Sequence, residues 1–166
     1  MEYFDLIKAR RSRRAFKPKP LTEQQIKSIV EAANLAPSAG NLQSYSFYLV
    51  KEKKAKEKLA EAAFGQGFIS EAPAVFVFFA KAPVSSKKYG ERGKLYATMD
   101  ATVAAAYAQL AVENLGLGTV WVGAFNEEKV KEILNEDGLP ICILPVGYPN
   151  DNPEKHPRQN RLKKVI

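Results

Sequence analysis

Ala74-Val75-Phe76-Val77-Phe78-Phe79-Ala80 is apolar at every position, with no alternation between its two faces. A strand of that kind needs cover on both sides, so it is expected in the centre of a sheet with helices above and below. Outward from it, strand and helix signals alternate. Tyr45 to Val50 reads as a strand, and Lys53 to Ala63 as a helix with Ala55, Leu59 and Ala62 inward, broken by Gly65-Gln66-Gly67. Further upstream, Thr22 with Gln25 makes a capping box, and Ile26, Ile29, Val30 and Ala33 share one face of the helix that Pro37 stops. Residues 2 to 9 set Tyr3, Leu6 and Ile7 at helical spacing.

Downstream, residues 82 to 91 read as a polar loop with Pro83, Ser85, Ser86 and Gly90. From about Gly93 to Leu115 runs the longest helix, with Leu95, Met99, Val103, Ala106 and Leu110 along one stripe and alanines on most other sides. Such a helix needs cover all round, which either a monomer's own core or a partner subunit would supply. Leu115-Gly116-Leu117-Gly118 ends it with a glycine cap. Thr119 to Phe125 reads as a buried strand, and Asn126 caps a helix from Glu127 to Leu134. Pro140 to Val146 is the last strand, and Pro145 inside it predicts an edge position or a bend. Helix, then strands alternating with helices, predicts a layered α/β or α+β domain.

The chain of 166 residues is 46% hydrophobic, enough for one good core. Its net charge of +7 points to an anionic partner: a phosphorylated ligand, nucleic acid or a membrane surface. The charge is concentrated. Between Leu6 and Thr22 stand seven basic residues (Lys8, Arg10, Arg11, Arg13, Arg14, Lys17 and Lys19) and no acidic one. A second group, Lys155, Arg158, Arg161, Lys163 and Lys164, closes the chain, so the two ends can share one anion. Ser12 among the guanidinium groups adds a neutral donor suited to phosphate, although a charge run by itself fits a solvated edge.

Several chemistries are set aside. Cys142 is the only cysteine, which excludes an internal disulfide or a cysteine-built zinc site, and its apolar run suits an inert buried thiol. His156 is the only histidine, and no nucleophile-elbow motif accompanies it, which argues against hydrolase chemistry. No metal site is expected, because histidine is scarce and carboxylates are scattered among lysines. Gly116-x-Gly118 follows a helix, and Gly65-x-Gly67 leads toward a strand, so neither meets the dinucleotide fingerprint. Phe76, Phe78 and Phe79 belong to core strands rather than interleaving with arginine, which weakens a nucleic-acid surface. The N-terminus is no signal peptide and no apolar run approaches a membrane span, so a cytoplasmic protein is expected.

One loop stands apart: Ala36-Pro37-Ser38-Ala39-Gly40-Asn41-Leu42-Gln43-Ser44. Its small residues let backbone approach a flat ligand, and its amides offer paired donors and acceptors; an ordinary helix-to-strand connection has the same composition.

Taken in order, Arg10-Arg11-Ser12-x-Arg14-x-Phe16, Ala36-Pro37-Ser38 with Asn41 and Gln43, Tyr89-Gly90-Glu91-Arg92 leading through Asp100, Gly116 to Phe125, and Leu144 to Pro149 resemble the flavin-dependent nitroreductase family over essentially the whole chain. The resemblance implies an α+β fold: a three-layer α/β/α sandwich with a central, mostly antiparallel sheet. A single domain over residues 1–166 would form a homodimer with sites at the subunit interface, its basic tail (150–166) packing on or across the dimer. It implies FMN as cofactor, NADH or NADPH as donor, and a small-molecule acceptor of nitroaromatic or quinone type, reduced by ping-pong hydride transfer. Arg10, Ser12 and Arg158 would hold the FMN phosphate with Arg11 nearby, and Arg14 would lie toward the pyrimidine edge. Pro37, Ser38 and Ala39 would line the ring, with Asn41 and Gln43 as polar contacts, and Val122, Gly123 and Ala124 would offer amides near N5 and O4. No side chain is assigned as acid, base or nucleophile.

The chain departs from the family pattern at two places. Gly65-Gln66 stands where an asparagine often touches the ring, so Gln66 is the substitute. The tail reads Arg158-Gln159-Asn160-Arg161-Leu162, which leaves Arg158 and Arg161 as alternatives for the phosphate. Rival readings are a small basic nucleic-acid-binding protein and a flavin-binding module without turnover.

Overall fold

The computed structural model describes residues 2–164; the first residue and the last two of the basic tail lie outside them. Among the described residues seven α-helices and four strands follow in the order α1 (Tyr3–Ala9), α2 (Glu23–Asn34), β1 (Tyr45–Val50), α3 (Lys53–Ala62), α4 (Phe68–Glu71), β2 (Ala74–Ala80), α5 (Ala82–Tyr89), α6 (Arg92–Asn114), β3 (Gly118–Thr119), α7 (Glu127–Leu134) and β4 (Leu139–Gly147). The sheet order is β1-β2-β4-β3, and each neighbouring pair is antiparallel.

Strand β2 is buried along its whole length, between β1 and β4. Val75, Val77 and Phe79 face one layer, packed with Leu59 of α3, Ile69 of α4 and Val130 of α7. Phe76 and Phe78 face the other, against Ile29 and Ala33 of α2 and Ala104, Ala105, Ala108 and Val112 of α6. The expected three-layer α+β sandwich with an antiparallel sheet is therefore the observed architecture.

Local capping matches the sequence. The Thr22 hydroxyl accepts the Gln25 amide at 3.1 Å while the Gln25 side chain accepts the Thr22 amide at 2.9 Å. Asn126 Oδ1 accepts the Lys129 amide at 3.0 Å. Helix α6 ends through Gly116 at φ +69°, with the Leu117 amide donating to the Val112 carbonyl at 3.0 Å. Cys142 is fully buried, and burial pushes its thiol well above the ordinary range.

Four expectations need correction. Residues 82–89 are helix α5, not loop: Pro83 sits in its first turn, where a missing amide proton leaves no gap. Gly93 lets α5 lie directly on α6, since a Cβ there would stand 2.4 Å from the Ser86 nitrogen. The stripe of α6 is also turned. Ala97, Ala101, Ala104, Ala105 and Ala108 face the core, whereas Leu95 and Met99 are 44% and 52% exposed. Alanines allow the helix axis to approach the sheet closely, so they take the inner face.

The segment Thr119–Phe125 pairs as a strand only at Gly118–Thr119; Val122 then makes a single bridge to Ile143, with N–H···O bonds of 3.0 Å in both directions. Finally, β4 lies inside the sheet and its register shift falls opposite Phe78/Phe79, not at Pro145. Antiparallel residues point their polar groups to alternate sides. Ile143 bonds toward Val122, so Pro145 turns its missing donor to that same side, in the gap between the bridge and β3. The proline is accommodated because the ladder is open there.

Candidate functional site

Helix α1 delivers the arginine cluster. At its end the Arg10 amide donates to the Leu6 carbonyl, and the Arg11 guanidinium donates to the carbonyls of Lys8, Ala9 and Arg10 at 2.7, 2.8 and 2.9 Å. A cation on the free carbonyls of a helix terminus is favourable, and it commits Arg11 to holding the turn. Ser12 then pairs in parallel with Thr119, where the Arg13 amide donates to the Thr119 carbonyl at 3.0 Å.

From Arg13 onward the N-terminal strand of chain meets the C-terminal tail. The Arg13 guanidinium donates to the Asp151 carbonyl and to Asn152 Oδ1, and the Arg14 amide donates to Asp151 Oδ2 at 2.8 Å. The Asn150 amide donates to the Ala15 carbonyl at 2.9 Å. Gly118 makes room for this crossing, because a Cβ there would lie 2.8 Å from Arg13 Cγ.

The result is a cleft of about 420 Å³, walled by Ile7, Lys8, Arg10, Arg11, Ser12 and Arg14 on one side and by Pro153, Glu154, Lys155, His156 and Arg158 on the other. Burial first, then the Arg158 guanidinium, push Arg10 below its ordinary pKa, against an opposing pull from Glu113. Among the described residues none of Arg10, Arg14 and Arg158 pairs with a carboxylate. The structure thus brings Arg10, Arg11, Ser12, Arg14 and Arg158 together; Arg161 lies farther along the exposed tail and does not line the cleft.

The small-residue loop is built differently. The buried Asp100 carboxylate, on α6, accepts the Ala39 amide at 2.9 Å and the Ser44 amide at 3.3 Å. Ser38 Oγ accepts the Gln43 amide at 3.0 Å, and Gln43 Nε2 donates to Asn41 Oδ1 at 3.3 Å. Gly40, Asn41 and Gln43 all take left-handed backbone, at φ +58°, +56° and +51°. Glutamine in that region is strained, and strain of this kind persists where surrounding contacts over-determine a functional loop. Pro37, Ser38 and Ala39 line a hollow of about 300 Å³ with Tyr96, Met99, Asp100 and Val103.

A third piece joins Gln66 to the 122–124 turn: Gln66 Nε2 donates to the carbonyls of Ala63 (2.9 Å) and Ala124 (3.2 Å). The Val122 amide is already given to Ile143, so the free donors of the turn belong to Gly123 and Ala124, both exposed.

Among the described residues, the basic cleft and the hollow beside the loop share no lining residue. Asp100, eight residues past the start of α6, fastens the loop, and Glu113, next to the last residue of that helix, faces Arg10. Thirteen residues of helix separate them, on the order of 20 Å. The roles of Arg13, Asp151 and Asp100 as anchors are absent from the sequence expectations, since no local pattern links residues so far apart.

The family model for the nitroreductase family matches residues 7–81 and 63–148. An FMN reductase [NAD(P)H] of Bacillus subtilis (strain 168) is 33% identical over 164 residues, 89% of this chain and 66% of its own length. A relative from Archaeoglobus fulgidus is 31% identical over 168 residues, 97% of this chain and 93% of its own. The chain thus spans about two thirds of the Bacillus protein and nearly all of the Archaeoglobus one. Among solved structures, B. megaterium NfrA1 superposes with a TM-score of 0.87 at 32% identity, covering 95% of this chain and 70% of that one. The NADPH:FMN oxidoreductase from Vibrio harveyi, complexed with NAD+, gives 0.86 at 26% identity, covering 98% and 79%.

Proposed function

The chain belongs to the nitroreductase family, and from that premise we propose an FMN-dependent NAD(P)H oxidoreductase acting on nitroaromatic or quinone-type acceptors. One observation carries the reading: the cationic ends of the polypeptide meet in one cleft, where, among the described residues, Arg10, Arg14 and Arg158 have no carboxylate partner. Guanidinium groups and a serine hydroxyl without internal partners form a donor set that fits a phosphate monoester. The residues present therefore suit FMN. When bound, FMN would supply the hydride chemistry between NAD(P)H and the acceptor.

The chain's own part is binding and electrostatics. Arg10, Ser12 and Arg158 hold the phosphate, and Arg11 keeps the α1 terminus in place behind them. Arg14 presents positive charge toward the pyrimidine edge. Pro37, Ser38 and Ala39 line the ring, Asn41 and Gln43 give polar contacts, and Gly123 and Ala124 offer amide donors with Gln66 bracing Ala124.

A homodimer completes the site. The exposed Leu95 and Met99 continue into half-buried Val103, Ala106 and Leu110, an apolar face along α6. Two copies pairing antiparallel through that face bring the loop of one protomer to the basic cleft of the other, removing the separation of about 20 Å along the helix. The whole of 1–166 acts as one domain, its tail closing the phosphate end, and the enzyme works in the cytoplasm. No helix of the described residues is long and apolar enough to cross a membrane.

The test is optical. Purified protein is expected to be yellow, with FMN bleached by NADH or NADPH under anaerobic conditions. Colourless protein that does not take up added FMN rejects the reading.

A further inference from the structure

The hollow beside Pro37–Ala39 has a rim that the phosphate and ring contacts leave unused. Lys88 and Tyr89 end helix α5, and Arg92 and Tyr96 begin α6. The tyrosine rings meet edge to face, with centroids 5.0 Å apart. The Arg92 guanidinium lies 5.4 Å from the Tyr96 ring centroid, and its Nε donates to the Tyr96 hydroxyl at 2.9 Å. This cluster leans over the strained loop: a Cβ on Gly40 would stand 2.5 Å from the Tyr89 hydroxyl and 2.9 Å from Lys88 Nζ.

Charge adds direction to the shape. Glu91, the carboxylate of this segment, is taken by Lys94 at 2.8 Å, and Asp100 is taken by the Ala39 and Ser44 amides. Among the described residues neither Lys88 nor Arg92 pairs with a carboxylate. Aromatic surface edged by two cations that lack such a partner suits a planar molecule carrying a negative group.

We propose that Lys88, Tyr89, Arg92 and Tyr96 form the acceptor subsite and select planar acceptors that bear a carboxylate or similar anionic substituent. The inference rests on the flavin reading, since it places the subsite beside the loop assigned to the ring. The tyrosines give a face for stacking, the cations fix the charged end, and glycine at position 40 leaves the loop room beneath them.

The test uses the FMN-loaded protein and benzoate, a non-reducible probe, followed by the change it causes in flavin absorbance. Benzoate is expected to bind at least about tenfold more tightly than benzyl alcohol, and Arg92→Gln and Lys88→Gln each to weaken it about tenfold, the loss of one charge-assisted contact. Lys58→Gln, which removes an exposed cation on α3, leaves it unchanged. In turnover, the kcat/KM ratio of 4-nitrobenzoate over 4-nitrobenzyl alcohol falls in Arg92→Gln through KM. Equal binding of benzoate and benzyl alcohol, or benzoate affinity retained in both variants, overturns the proposal. If the protein takes up no FMN, the flavin reading fails separately, and benzoate binding is then read by equilibrium dialysis with the same criteria.

Discussion

Arg13 and Asp151, 138 residues apart, tie the two ends of the chain together: the guanidinium donates to the Asp151 backbone carbonyl and lies 3.8 Å from its carboxylate. The neighbouring Arg14 amide donates to that same carboxylate. Asp151 thus sets where Pro153 to Arg158 pass, and with them the far wall of the basic cleft.

Replacing Asp151 by Ala is expected to release that wall with little effect on the core, since the residue lies outside both main hydrophobic clusters. FMN affinity falls several-fold, a change of about 1 kcal/mol, while the thermal midpoint shifts by only a few degrees. Flavin fluorescence titration and thermal denaturation, run on one preparation, check the two halves.

On the proposed assignment, Arg10→Ala and Ser12→Ala each remove a contact to the FMN phosphate. Loss of a hydrogen bond to a charged group is worth about 1.5–3 kcal/mol, so Arg10→Ala should weaken FMN binding by about tenfold or more, and Ser12→Ala by less. Retention of the cofactor by both variants at the parent's level contradicts the phosphate assignment.

Asp100→Ala withdraws the acceptor of the Ala39 and Ser44 amides from a buried position. We expect a loss of about 2–3 kcal/mol in chemical denaturation. Faster proteolysis or amide exchange should be confined to residues 37–44, and an unchanged exchange pattern there counts against the anchor.

Glu136 contributes a pH dependence to the stability. Burial alone would raise its pKa, but Lys81, the Gly138 amide and the hydroxyls of Tyr48 and Ser46 more than offset this and hold it at about 2. A carboxylate depressed in the folded state contributes stability that is full above its unfolded pKa, about 4.3, and is lost as pH falls toward the folded value. Urea titrations at a series of pH values should show the parent losing stability between about pH 4 and pH 2 more steeply than Glu136→Gln. At neutral pH that variant is less stable than the parent, because it leaves Lys81 without its ion pair.

How much of this the sequence could tell depended on the range of the contact. Thr22 with Gln25, and Asn126 with Lys129, are partners three residues apart, so their caps could be read directly. Ala74–Ala80 identified the central strand because both its faces are apolar. Helix α5 was hidden because Pro83 and Gly90 look like loop residues, although one begins a helix and the other ends it. The inner face of α6 was misjudged because hydrophobic patterning favours Leu95 and Met99 over alanine, whereas close approach to the sheet favours alanine. Charge suggested that the two basic ends could meet and the resemblance named Arg10 and Arg158, but the Arg13 and Asp151 clasp that joins those ends has no sequence periodicity to betray it. Resemblance alone joined loop, turn and arginine cluster into one site.

The length of α6 has a consequence for handling the protein. Because the anchor of the small-residue loop lies about 20 Å along that rigid rod from the residue facing the basic cleft, a lone subunit would, on the proposed reading, grip FMN by one end only. On the proposed dimer, dilution should therefore strip colour from the protein, and flavin occupancy would become a gauge of quaternary state.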